Sequence, residues 1–89
     1  MLFLVTVNLI IQENEVAYNV YIESETGKYY FKPTVYQNRN LYPPHFWAYQ
    51  VGASWEFDGT TNHDIQMQAI EEISYYLDFK TNSPVEKEA

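Results

Sequence analysis

The residues from Phe46 to Asp58 constrain the fold more than any other stretch of the sequence. Apolar side chains occupy every second position, and the positions between them are mostly polar. Successive side chains of a β-strand point to opposite faces, so this alternation predicts one strand with an apolar face and a polar face. Both tryptophans of the chain belong to the apolar face, whose members are Trp47, Tyr49, Val51, Ala53, Trp55 and Phe57.

Three more strands, joined by short polar turns, are predicted before this one. Partners across an antiparallel pair must share a face of the sheet. Pairing Ile11 with Val16 and Glu23 with Lys28 satisfies this condition along two consecutive hairpins, and a slip of one residue breaks it. Each hairpin is therefore expected to have a four-residue loop. The three strands are predicted over residues 1–11, 16–23 and 28–36.

A helix is predicted over Asp64–Lys80, where no proline or glycine interrupts the chain. Thr61, with Asp64 three residues later, is expected to cap its N-terminus. Residues 81–89 are predicted to be a frayed tail. Apolar side chains recur on one side of the helix at the spacing of an amphipathic helix. They are expected to pack against Trp47, Trp55 and Phe57, and they are Ile65, Ala69, Ile73, Tyr76 and Leu77.

These elements predict one α+β domain over residues 1–80. Its fold class is a four-stranded antiparallel sheet followed by one C-terminal helix packed on one face, ββββα. The strand order stays open between two alternatives. Short turns favour the meander 1-2-3-4, whereas Pro33 favours an edge position for the third strand. The long connection from Gln37 to His45 could carry the fourth strand across to the first, which gives the order 3-2-1-4.

Charge and composition argue against several classes of partner. The 89 residues include twelve acidic and five basic side chains, for a net charge of −7. Such a chain is repelled by nucleic acid and by anionic membranes, so neither is predicted as a partner. The apolar start, Met1 to Ile11, lacks the basic region of a signal peptide and is too short to span a bilayer. The cysteine-free sequence is compatible with the reducing cytoplasm, where we expect the protein to reside.

No catalytic or cofactor-binding motif is present in the sequence. The glycines are scattered and match neither phosphate-binding fingerprint, and no serine lies in a triad motif. A straight fourth strand would hold His45 about 30 Å from His63, too far for the two to share a metal ion. We therefore predict a protein that is not an enzyme and that holds no cofactor and no metal.

The sheet face opposite the helix is the candidate functional surface. One helix covers only one face, and the uncovered face carries apolar and aromatic side chains where a solvated face would be polar. The strand register places Tyr21 beside Tyr30, and tyrosine suits a surface that is only partly wet. The predicted interaction residues, on this face, in the long loop and on the outer side of the helix, are Leu2, Leu4, Tyr21, Tyr30, Tyr36, Arg39, Tyr75 and Phe79.

The leading hypothesis is a small acidic, non-catalytic protein–protein interaction module that associates with itself, as a possible homodimer, or with another protein. The alternative is an acidic inhibitor or decoy, which imitates nucleic-acid phosphates and blocks a basic groove of a partner protein. A weak enzyme or ligand binder with a pocket at the proline loop is a third hypothesis. The carboxylates that the decoy would use are Asp58, Asp64, Glu71, Glu72 and Asp78.

Overall fold

The computed structural model describes residues 1–34 and 40–81. The strands form one antiparallel sheet in the order β1-β2-β3-β4-β5, and the helix packs on one face, against β1. The predicted α+β fold, an antiparallel sheet followed by a C-terminal helix, is confirmed, and the strand order is the meander. The prediction of four strands is wrong, because the described residues form five. The elements are β1 Leu2–Ile11, β2 Asn14–Ile22, β3 Tyr29–Pro33, β4 Phe46–Val51, β5 Ser54–Asp58 and α1 His63–Thr81.

The additional strand arises because the stretch from Phe46 to Asp58 is a hairpin. Val51 pairs with Ser54, so Gly52 and Ala53 form a two-residue loop. Gly52 has a φ of 63°, and Ala53 does not have a positive φ. This combination is that of a type II′ turn, whose twist matches the twist of two antiparallel strands. The chain therefore reverses at the point where the alternation predicts that it continues.

The reversal also divides the predicted apolar face between the two sides of the sheet. Ala48 pairs with Phe57 and Gln50 pairs with Trp55, so even positions of β4 share a face with odd positions of β5. Trp47 therefore lies on the side of the sheet that faces away from α1. The single apolar face expected from Trp47 to Phe57 is wrong for this reason.

The two earlier hairpins agree with the predictions to different degrees. Between β1 and β2 the loop has two residues, Gln12 and Glu13, both with positive φ, which is a type I′ turn. Ile11 consequently pairs with Asn14, two residues away from the predicted partner, and the faces are kept because side chains alternate with a period of two. Between β2 and β3 the predicted register is confirmed, including the pair of Tyr21 with Tyr30.

A bulge in β1 corrects the placement of its first residues. The register shifts between Phe3 and Val5, so Leu4 is an extra residue, and Phe3 pairs with Tyr21. An extra residue interrupts the alternation of faces. Leu2 pairs with Ile22, whose side chain is on the helix side, and Leu4 lines a small pocket beneath α1. The prediction that Leu2 and Leu4 lie on the face opposite the helix is therefore wrong.

The core lies between α1 and the middle of the sheet. Its largest fully buried side chains are Tyr18, Phe31, Phe46, Leu9 and Val16. From α1, Ile65, Ala69 and Ile73 are buried, whereas Leu77 is 42% exposed. Trp55 and Phe57 are only partly buried at the margin of this cluster. The expectation that the two tryptophans anchor the core is wrong, because the hairpin moves one to the opposite face and the other to the margin.

The end of the long connection closes one side of the core. Leu41 and Pro43 are buried, and the carbonyl oxygen of Pro44 accepts a hydrogen bond of 2.9 Å from the hydroxyl of Tyr18. The predicted interaction residues Tyr36 and Arg39 lie outside the part of the chain that the structure describes, as do residues 82–89 of the predicted tail.

The N-terminus of α1 is capped one residue later than predicted. The side-chain oxygen of Asn62 accepts a hydrogen bond of 3.1 Å from the backbone N–H of Ile65. Asn62 directly precedes the first helical residue, His63, so it occupies the N-cap position that the sequence assigned to Thr61.

Pro33 is tolerated in a central strand because β3 pairs with β4 over only part of its length. The ladder between these strands runs from Tyr29 to Phe31 and ends before Pro33. On the other side Pro33 pairs with Tyr18 of β2. A proline lacks the N–H donor of a ladder, and here it lies beyond the residues of β4 that would accept from it. Pro33 therefore does not require an edge position for β3.

A candidate interaction face on the open side of the sheet

The sheet face that points away from α1, called the open face below, carries a row of four aromatic side chains. Phe3 of β1 contacts Tyr21 of β2 edge to face, with 5.7 Å between the ring centroids. Tyr21 lies 6.4 Å from Tyr30 of β3, and Tyr30 lies 4.9 Å from Trp47 of β4. The row therefore crosses four strands without interruption.

The register of the strands produces this row. Phe3, Tyr21, Tyr30 and Trp47 are successive cross-strand partners, so their side chains project side by side from strands about 4.8 Å apart. Each such aromatic pair stabilises a sheet by about 0.2 to 1 kcal/mol relative to a pair of alanines. Phe3 is 50% exposed, and the other three are partly buried by their neighbours. The row is thus ordered by the sheet and still accessible to a partner.

A histidine extends the row at the end of the long connection. The hydroxyl oxygen of Tyr30 lies 3.1 Å from Nδ1 of His45, at hydrogen-bond distance. The two rings are 6.4 Å apart. His45 is exposed, so this contact fixes the phenol of Tyr30 without removing it from water. The contact gives the central ring of the row a defined orientation.

Charged residues of both signs flank the aromatic row. The ammonium group of Lys28 lies 4.3 Å from the centre of the Tyr49 ring, within the range of a cation–π interaction. Lys28 also lines a shallow depression of about 150 Å³ with Glu23, Trp47 and Asp58. The pKa of the Tyr49 hydroxyl is raised by desolvation and then by the carboxylates of Asp58 and Glu56. The open face therefore presents charges of both signs next to its aromatic centre.

The structure separates the predicted interaction residues into different surfaces. Tyr21 and Tyr30 are together on the open face, as predicted. Tyr75 and Phe79 are 71% and 62% exposed on α1, on the other side of the sheet. They line a groove of about 250 Å³ beside β1, together with Val5, Thr6, Val7, Glu72 and Tyr76. No single partner surface can include both pairs without wrapping around the edge of β1.

Sequence reasoning missed Phe3 and Trp47, although both complete the aromatic row. For Trp47 a signal was present, because Gly52 followed by Ala53 fits the Gly-X pattern of a two-residue type II′ hairpin. For Phe3 the sequence carries no comparable signal, since any of several apolar residues near the N-terminus could form the bulge.

The histidines and acidic side chains in residues 1–34 and 40–81 are the candidates for a metal site. No group of three or more histidine, aspartate or glutamate side chains in this part of the chain is placed to hold a metal ion. The estimate of about 30 Å that rested on one straight strand does not hold. A side chain at Gly59 would approach the carbonyl oxygen of His45 to 2.5 Å, because the hairpin brings these two positions together.

Comparisons with known proteins complete the description of the site. Protein-family models, curated proteins and solved structures were compared with the chain, and none of them matches. Within the part of the chain that is described, α1 is the helix to consider for a membrane span, and it is not apolar enough to form one. The geometry of the open face is therefore the basis for inferring a function.

Proposed function

We propose that this protein is a small acidic, non-catalytic interaction module that associates with a second copy of itself through the open face. The observation that supports this proposal is the aromatic row formed by Phe3, Tyr21, Tyr30 and Trp47, which combines large apolar area with polar groups at its tips. Tyrosine and tryptophan are enriched at protein interfaces for this reason. A cytoplasmic location is part of the proposal, because a chain without cysteine is compatible with a reducing compartment.

The size of the open face fits a two-fold contact. Five strands spaced about 4.8 Å apart give a width of about 24 Å, and a strand rises about 3.4 Å per residue. Strands of 5 to 10 residues are then about 17 to 34 Å long, which gives a face of about 400 to 800 Å². A standard interface buries about 800 Å² on each partner. The open face is thus large enough for a dimer only when most of it takes part.

The open face of each copy carries lysines as well as carboxylates, so a second copy can supply charges of the opposite sign. In a two-fold contact the same patch lies on both sides, and residue i of one copy meets residue j of the other. Lys28 and Lys32 lie near β3, while Glu56 and Asp58 lie on the outer strand β5. A two-fold arrangement can therefore place the lysines of one copy against the carboxylates of the other, although the net charge of each copy is −7.

The decoy hypothesis remains a second candidate, and a specific observation favours it. Asp64, Glu71 and Asp78 are all exposed on α1 and follow one another at intervals of seven residues. Seven residues of helix span about 10.5 Å, which is close to the axial rise of about 10 Å over three nucleotides of one DNA strand. These three carboxylates could therefore imitate every third phosphate in the groove of a basic protein.

Sedimentation over a range of concentrations in moderate salt tests the proposed dimer. The test variant is Tyr21→Lys/Tyr30→Glu, which inserts two charges into the aromatic row and leaves the net charge unchanged. The control is Tyr75→Ser, which removes a more exposed ring from α1, on the other side of the sheet. We expect wild type and the control to dimerise alike, while the double variant stays monomeric because two charges would be desolvated in the contact.

Two outcomes contradict the proposed dimer. One is a wild-type protein that remains monomeric at high micromolar concentration. The other is a double variant that dimerises as well as the wild type. In either case the decoy is tested by capture of a basic, nucleic-acid-binding protein from native lysate. The variant Glu71→Gln/Asp78→Asn should abolish that capture, whereas Tyr21→Lys/Tyr30→Glu should not change it.

A further inference from the structure

One glutamine side chain makes the hydrogen bonds of a missing strand. β1 is an edge strand, and the side-chain amide of Gln68 reaches its outer edge from α1. The backbone N–H of Ile10 donates a hydrogen bond of 2.7 Å to Oε1 of Gln68, and Nε2 of Gln68 donates one of 2.9 Å to the carbonyl oxygen of Ile10. Two bonds exchanged with a single residue are the pattern of an antiparallel, hydrogen-bonded pair.

The same edge continues beyond Gln68 with further backbone groups. Because N–H and C=O groups alternate in direction along a strand, Asn8 and Thr6 point their backbone groups to the same side as Ile10, away from β2. Among residues 1–34 and 40–81 the backbone N–H and C=O groups of Asn8 and Thr6 have no hydrogen-bond partner. Exposed strand edges of this kind bind extended segments of other chains.

A stripe of α1 runs along this open part of the edge. Gln68, Glu72, Tyr75 and Phe79 follow one another at helical spacing, and the last three line the groove of about 250 Å³ beside Thr6. From Gln68 to Phe79 the helix rises about 16 Å, and β1 extends about 17 Å between Ile10 and Val5. Helix and strand edge therefore stay side by side over this length and form a channel with a backbone wall and an apolar wall.

We propose that this channel binds an extended peptide segment of a partner protein, antiparallel to β1, with a lysine or arginine side chain placed against Glu72. The peptide adds a sixth strand through Asn8 and Thr6. Its apolar side chains pack on Tyr75 and Phe79. Strand addition beside a helix gives affinity through main-chain hydrogen bonds and specificity through alternate side chains. Gln68 closes one end of the channel and so fixes the register.

The charge of the groove indicates which kind of peptide segment can bind in it. Among the described residues, Glu72 is the only charged one that lines the groove, and those that surround it are apolar or hydroxyl-bearing. A second copy of β1 does not supply the complement, because residues 2–11 carry no charged side chain. A segment with one basic residue between apolar residues fits both the carboxylate and the rings. This binding mode uses a different surface from the open face and does not depend on the proposed dimer.

A titration with a synthetic heptapeptide, followed by amide chemical shifts of the intact protein, tests the proposal. The probe has the sequence Thr-Val-Thr-Lys-Thr-Val-Thr, and both of its ends are blocked. Residues opposite Asn8 and Thr6 have side chains on the open face, so the threonine N–H groups face β1. N-methylation of the threonines should abolish binding, whereas N-methylation of the valines and the lysine should leave it intact. Shifts are expected at Thr6 and Asn8.

A second set of titrations changes the charge of the peptide and then the charge of the groove. Glutamate in place of the peptide lysine should weaken binding about five- to tenfold, the range of an exposed ion pair replaced by a repulsion. The variant Glu72→Lys should reverse this preference. The proposal is overturned by equal binding of both N-methylated peptides, by the absence of saturable binding, or by shifts confined to the aromatic row of Phe3, Tyr21, Tyr30 and Trp47. It is also overturned if Asn8→Pro lowers self-association, because a second copy then occupies the edge.

Discussion

The two faces of the sheet carry aromatic rows that cross the same central strands but differ in chemistry. On the helix side Phe31 and Phe46 stack with centroids 4.7 Å apart and ring planes inclined by 9°. Tyr18 lies 6.3 Å from Phe31 and 5.8 Å from Phe46. All three are fully buried. On the open face the row combines tyrosine, tryptophan and a half-exposed phenylalanine, and its members are tilted relative to one another.

The comparison separates what strand register determines from what burial determines. Register alone aligns side chains into rows on both faces, since cross-strand partners share a face. On the helix side, α1 and Leu41 exclude water, so a polar atom there needs a hydrogen-bond partner within the protein. The hydroxyl of Tyr18 has such a partner in the carbonyl oxygen of Pro44. Where no such cover exists, tyrosine hydroxyls can remain in contact with water. The open row is therefore suited to reversible contact and the buried row to stability.

The largest expected difference is between two neighbouring residues on opposite faces. Phe31→Ala should lower the free energy of unfolding by about 3 to 5 kcal/mol, because it leaves a cavity in a fully buried cluster. Tyr30→Ala should lower it by less than about 2 kcal/mol, since it removes only cross-strand contacts at a partly exposed position. Urea titration of both variants measures the two values. Similar losses would show that the open face is as deeply packed as the core.

The parts of the fold that sequence predicted are those where local pattern and pairing agree. The four-residue turn over residues 24–27 and an unbroken alternation placed β2 against β3 correctly, and with them Tyr21 beside Tyr30. Alternation failed between Phe46 and Asp58 because a two-residue turn keeps apolar residues at every second position in sequence while exchanging their faces in space. Hydrophobic alternation alone cannot distinguish a straight strand from a tight hairpin.

A smaller effect is expected from the one hydroxyl group of the buried row. Tyr18→Phe should lower the free energy of unfolding by about 1 to 3 kcal/mol, because the carbonyl of Pro44 loses a donor at a buried site. The matched change on the open face, Tyr21→Phe, should alter it by less than about 0.5 kcal/mol. Thermal or urea unfolding distinguishes the two. A neutral Tyr18→Phe would mean that water replaces the lost hydroxyl at Pro44.

The turn that divides the aromatic residues between the faces provides the next test. Gly52 has a φ of 63° and open space around it, so Gly52→Ala should cost about 1 to 2 kcal/mol from the left-handed conformation alone. Ala53→Gly is the control, because Ala53 does not have a positive φ. If Gly52→Ala has no effect on stability, the loop is not a type II′ turn and the placement of Trp47 on the open face is in doubt.

The candidate site was harder to predict than the fold because its members depend on two departures from regular geometry. The turn at Gly52 adds Trp47 to the open row, and the bulge at Leu4 adds Phe3. Each departure involves only one or two residues, yet it moves the side chains that follow to the other face of the sheet. Hydrophobic periodicity is judged over longer stretches and does not detect so short a change. The edge of β1 was not predicted either, since the bonds between Gln68 and Ile10 join residues 58 positions apart. Such a pairing follows only from the packed position of α1.

The smallest expected effect concerns alkaline stability at the margin of the helix-side face. The pKa of Tyr29 is raised above 10.0 by burial and then by the neighbouring Tyr76. The folded protein therefore keeps this proton at a pH where the unfolded chain has lost it. The resulting stability is fully present below about pH 10 and is lost as pH rises through the raised pKa of the folded state.

Urea unfolding at several pH values between about 9 and 11 measures this loss. The free energy of unfolding should decline less steeply with pH for Tyr29→Phe than for the wild type. Equal slopes for wild type and Tyr29→Phe would mean that the ring of Tyr29 is as accessible to solvent as those of the open row, and the distinction between the two faces would then not extend to the edge of the core.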